Sequence, residues 1–65
     1  MSAATPSGRE ILFEFTPVGA SLRAVAIDAQ TGIEVSIVAP AGAARADLQR
    51  LLLRKLKRRI DSDPR

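Results

Sequence analysis

The side chains available for chemistry are ten Lys and Arg, seven Asp and Glu, and two Phe; His, Cys, Tyr and Trp are all absent. Without His and Cys, zinc fingers, thiol nucleophiles, Ser–His dyads and haem ligation are excluded. Acid–base work falls to the carboxylates Glu10, Glu14, Asp28, Glu34, Asp47, Asp61 and Asp63. Strand parity sends Glu10, Glu14 and Glu34 to a solvent face, with Glu10 and Glu34 flanking Ile27 as the best available carboxylate pair. A solubilising surface explains these residues more simply than a general acid and base do. The AIDAQTG stretch has a single carboxylate, Asp28, and so lacks the ligand spacing of a calcium loop. Gly42 in PAGAAR is one glycine before a helix, not a phosphate-cradling loop. The inventory points to a non-enzyme with no catalytic, metal or cofactor-binding residue and no small-molecule substrate.

One cluster is dense enough to bind something. Arg54–Arg59 (RKLKRR) carries five positive charges in six residues. On a helix, Arg50, Arg54, Lys57 and Arg58 share a face opposite an apolar stripe, a candidate contact for phosphate backbones or an acidic partner. The competing explanation is a solvated face whose cations suit the negative end of the helix dipole. Nucleic-acid-binding sheets usually display stacking aromatics, and the period-two pattern turns both Phe13 and Phe15 toward the core.

Elements that would position these groups follow from periodicity. Arg9–Thr16 alternates, with Ile11, Phe13 and Phe15 on one face and Glu10, Leu12 and Glu14 on the other, as in a half-buried strand. Ser21–Asp28 and Ile33–Ala39 read as second and third strands. Pro17–Ala20 and Ala29–Gly32 supply turns, the second braced by Asp28. Two four-residue loops would set Phe15 opposite Leu22, Phe13 opposite Ala24, Ile11 opposite Ala26, Ala26 opposite Val35 and Ala24 opposite Ile37. Glu14 would then face Arg23. A helix is expected over Ala43–Asp61, with Gly42 as its cap and Leu48, Leu51, Leu52, Leu56 and Ile60 as its stripe. Burying both apolar faces gives an α+β fold, a three-stranded antiparallel β-meander followed by one C-terminal α-helix packed on one face (β-β-β-α). The expected core is Ile11, Phe13, Phe15, Leu22, Ala24, Ala26, Val35 and Ile37 against Leu48, Leu52, Leu56 and Ile60.

The chain of 65 residues holds a single domain, read as residues 9–61 between a disordered lead-in at 1–8 and a disordered tail at 62–65. A domain near this size buries only about 60% of the surface its unfolded chain exposes, and leaves little room for an enclosed pocket. No secretory signal or membrane-spanning run is present, which makes the cytoplasm the expected compartment. The net charge of +3 is unevenly distributed. Met1–Ala41 has two basic residues (Arg9, Arg23) against four acidic ones, a net of −2, and Gly42–Arg65 carries +5.

Phe13-Glu14-Phe15, Val18-Gly19-Ala20, Ala26-Ile27-Asp28, Thr31-Gly32, Glu34–Val38 and Arg54-Lys55-Leu56 together resemble a family of short uncharacterised alphaproteobacterial proteins. The resemblance spans about Arg9 to Lys57. It implies a stand-alone cytosolic protein and transfers no activity or functional residue. A looser likeness is to DNA-binding domains of three strands and a helix that read the major groove with the sheet. The acidic outer face departs from what those domains need.

A small interaction module remains. The outer sheet face should carry Leu12, Val25, Ile27 and Val38, and Leu53 stands at the margin of the helix stripe, together a candidate apolar interface for a protein partner or a homodimer. The alternative is a nucleic-acid-binding accessory protein using the basic face of the helix.

Overall fold

Alternation of apolar and polar residues, then a 3.6-residue period, produces the expected elements. The computed structural model describes the backbone of residues 2–4 and residues 9–62 in full. Strands β1 (Ser2–Ala4), β2 (Glu10–Val18), β3 (Ser21–Asp28) and β4 (Glu34–Pro40) form one antiparallel sheet in the order β1-β2-β3-β4, followed by helix α1 (Arg45–Ser62). The β2–β3–β4 meander is the expected one, and α1 packs across β3 and β4.

The strand count, the C-terminal end of the helix and the first hairpin all differ from the sequence expectation. The sheet has a fourth strand, because Ser2–Ala4, within the expected lead-in, pairs with Glu10–Leu12; backbone pairing asks little of side-chain type. Met1 and residues 5–8 lie outside the described residues. Ser62, assigned to the tail, belongs to the helix, where its hydroxyl donates to the Arg59 carbonyl at 3.2 Å; residues 63–65 also lie outside. Finally, the first hairpin is tighter than expected. Pro17 and Val18 continue β2, so only Gly19 and Ala20 form the loop, and Phe15 faces Ala24, Phe13 faces Ala26 and Ile11 faces Asp28.

The tight turn has a clear physical basis. Gly19 has φ 61°, the positive value that the first loop position of a type II′ hairpin demands. Pro17 is tolerated because β1 covers only Glu10–Leu12, leaving the outer edge of β2 without a neighbouring strand at that point. The register moves by two residues, an even number, so every side chain keeps its face. The second hairpin has the expected register, Ala26 facing Val35 and Ala24 facing Ile37.

Ile11, Phe13, Leu22, Ala24, Ala26 and Val35 are buried against Leu48, Leu52 and Leu56, with Phe15, Ile37 and Ile60 half-buried around them. Each large buried side chain contributes about 1.5–3 kcal/mol relative to exposure. Ile33 joins the core although it precedes β4. Leu51, expected in the stripe, is largely exposed, since it is rotated about 100° from Leu52 around the helix. The helix begins two residues later than expected. Ala44, not Gly42, is its cap, and the Ala44 carbonyl accepts from Leu48 N–H at 3.2 Å.

Candidate interaction surface

The helix covers the inner face of the sheet and leaves the outer face open. Cross-strand pairing arranges that open face in rows: Leu12, Ile27 and Glu34; then Glu14, Val25 and Ser36; then Thr16, Arg23 and Val38. Leu12 is 37% exposed, Val38 71% and Val18 58%. These are three of the four exposed large hydrophobics among the described residues; Leu51 is the fourth. Leu12, Val25 and Val38 occupy successive strands in successive rows, so they form a diagonal apolar stripe. Glu14 lies on one side of it and Glu34 on the other, both exposed.

Four of the five expected apolar contacts therefore meet on this face, in different states. Val25 is only 7% exposed, a buried floor beneath its neighbours rather than a contact that stands out. Ile27 is half-buried beside it. Leu53 does not belong to this surface. It sits on α1, half-buried against the core, because it shares a helix flank with Leu56 and Ile60 at i+3 and i+7. Val18 was hidden from sequence reasoning by the turn assigned to Pro17–Ala20. The expected Glu14–Arg23 pairing is absent, since Arg23 faces Thr16 and Glu14 faces Val25. Nor do Glu10 and Glu34 flank Ile27; Leu12 takes the place expected of Glu10.

On the opposite side of the molecule, Arg50, Arg54, Lys57 and Arg58 do share the solvent face of α1. Two are already engaged along the helix: Arg50 pairs with Asp47, and Lys57 with Asp61 at 2.9 Å. Exposed pairs of this kind are weak, but they halve the local excess of positive charge. An open groove of about 510 Å³ is lined by Asp47, Arg50, Leu51, Leu53 and Arg54. It is larger than the size of the chain suggested, yet it encloses nothing, and its one carboxylate is the one paired with Arg50. Lys55 has a separate task. Its ammonium donates to the Ser36 carbonyl at 2.8 Å, placing a cation over the edge strand β4. Arg45 stacks over the Phe15 ring, 4.8 Å from its centroid.

The single buried polar side chain among the described residues is Asp28, at the inner end of β3. Its carboxylate accepts from the Arg9 guanidinium at 2.5 Å, the Thr31 hydroxyl at 2.8 Å and the Gln30 N–H at 3.3 Å. The Thr31 oxygen in turn accepts from Ile33 N–H at 3.2 Å. Burial disfavours the charged form, but the hydrogen bonds from Thr31, Gln30 and Arg9, together with the Arg9 charge, outweigh it and hold the carboxyl below its ordinary pKa. Both carboxylate oxygens are engaged, in ordering the loop and in tying it to Arg9, as expected of a structural brace.

Among the described residues no three His, Cys, Asp or Glu side chains gather as a metal site, and no helix is long and apolar enough to cross a membrane. Residues 8–63 match the family model described as a domain of unknown function, DUF6898. No curated protein and no solved structure matches the chain.

Proposed function

The chain belongs to the DUF6898 family, and from that premise we propose that it is a non-catalytic interaction module that binds another protein through the outer face of its sheet. The supporting observation is the placement of Leu12, Val18 and Val38, three exposed large hydrophobics, on the face that α1 leaves uncovered. Scattered exposed apolar residues need no explanation, but Leu12 and Val38 joined through Ile27 and Val25 into one stripe on a small domain suit a partner site. Catalysis has little support. The buried carboxylate is fully engaged, and the exposed ones on the outer face stand in separate rows.

The basic helix is the weaker surface, because Asp47 and Asp61 flank the four cations at either end and pair with two of them. Phe13 and Phe15 lie on the helix side of the sheet, out of reach of a stacked base.

Affinity capture from the native cytosol separates the readings when run with wild type and the double variant Leu12→Glu/Val38→Glu. The expected result is a protein retained by wild type and lost by the variant, with little dependence on salt. Capture unchanged by the variant would overturn the assignment of this face. Amide NMR titration with mixed RNA and DNA fragments supplies the other arm: salt-sensitive shifts confined to Arg50–Arg59 would transfer the function to the helix.

A further inference from the structure

Resting on that reading of the outer face, we infer that its occupant is a cationic amphipathic helix of another protein, about three turns long. The inference comes from the arrangement of charge around the apolar stripe. Leu12, Val25 and Val38 step diagonally from β2 to β4. With strands about 4.8 Å apart and a two-residue step of about 6.8 Å, the stripe is about 17 Å long. That length corresponds to roughly three turns of helix at 5.4 Å per turn. A helix laid along it would set one apolar row on Leu12, Ile27, Val25 and Val38. Its two flanks would then pass over Glu14 on one side and Glu34 on the other.

Lysine or arginine side chains bordering an apolar row reach outward over their own aliphatic stems, which brings their charges to those carboxylates. Glu10, in the next row of β2, extends the acidic border, and Arg23 is the sole cation on this face of β2, β3 and β4. The strands thus present three carboxylates against one guanidinium. An acidic or neutral helix would leave that charge uncompensated.

A second copy of the chain fits poorly. Its own sheet face would bring like charges together. Its helix α1 is cationic, but Leu48, Leu52 and Leu56 of that helix are already buried within the fold. The apolar row the outer face requires must come from a different chain.

Two synthetic 18-residue helical peptides test the inference. Both carry leucines at the same i, i+3, i+4, i+7 positions; one has lysine on its polar face and the other glutamate. Titrated into isotopically labelled protein, the lysine peptide should shift the Leu12, Glu14, Val25, Ile27, Glu34 and Val38 amides at least tenfold more tightly than the glutamate peptide. In Glu14→Lys/Glu34→Lys, whose exposed positions should leave the dispersed spectrum intact, the preference should reverse. Equal binding of both peptides at these amides would overturn the charge assignment while leaving the outer face as the interaction surface. Shifts confined to α1, or none, would overturn the inference together with the reading it rests on. Concentration-dependent shifts of the same amides without peptide, accompanied by a dimeric mass in sedimentation, would assign the face to a second copy instead.

Discussion

Arg9 and Asp28, nineteen residues apart, meet at 2.5 Å at the open end of the first hairpin, with Arg9 partly solvated and Asp28 fully buried. The contact ties the start of β2 to the loop after β3 through one carboxylate. Asp28→Asn keeps the shape but removes the charge, and should cost about 2 kcal/mol by urea unfolding, the scale of hydrogen bonds to a charged group. Arg9→Ala should cost less, since Thr31 and Gln30 still satisfy the carboxylate.

The same group predicts a pH dependence. The Asp28 carboxyl is lowered in the folded state, so its contribution is fully present above the ordinary carboxylate range. As pH falls through that range the unfolded chain takes up the proton first, and the contribution is progressively lost toward the folded-state value. Stability measured from pH 7 to 3 should fall more steeply in wild type than in Asp28→Asn.

Ala44 is an exposed helix cap with no side-chain acceptor for the first N–H groups of α1. Ala44→Ser should therefore stabilise the protein by about 1 kcal/mol, a rise in Tm of about 4–8 °C for a domain of this size. An unchanged Tm would mean that the helix starts elsewhere.

Neighbouring leucines should behave oppositely. Leu52 is fully buried and Leu51 is 45% exposed. Leu52→Ala should cost about 3 kcal/mol, enough to unfold much of a small domain, whereas Leu51→Ala should stay within about 0.5 kcal/mol. Circular dichroism with urea distinguishes the two directly.

Lys55 guards an edge. With its ammonium at the Ser36 carbonyl, β4 is a poor template for another strand. Lys55→Met should leave the fold intact, speed hydrogen exchange in β4 and raise the sedimentation mass with increasing concentration. A monomer at every concentration would show that the lysine is not the guard.

Much of this was legible in the sequence, for definable reasons. Period-two alternation at Ile11, Phe13 and Phe15 and helical spacing at Leu48, Leu52 and Leu56 specify which side chains meet, and those faces survive a shift of two residues in the first hairpin. The shift itself was hidden by Pro17. Proline suits a turn, but it also suits a strand whose outer edge is open, and only the extent of β1 shows which applies. The Arg9–Asp28 contact was lost with it: a four-residue loop sets Ile11 against Ala26 rather than Asp28, and the two charges no longer meet. The outer face was readable by parity, yet the sinking of Val25 depends on how neighbouring chains crowd the central strand, which alternation does not encode. Leu53 and Leu51 exchanged their expected roles through a rotation of the helix that the sequence leaves free.

The central position of β3 has a consequence for how the molecule comes apart. β2 and β4 both pair with it and α1 packs on it, so no long element can detach while β3 keeps all its neighbours. A structure assembled around one shared strand has few partially open states, and its innermost amides are exposed to solvent chiefly when everything opens at once. The Leu22–Ala26 amides should exchange with the free energy of global unfolding, while β1, which touches β2 alone among the strands, can leave without disturbing the rest.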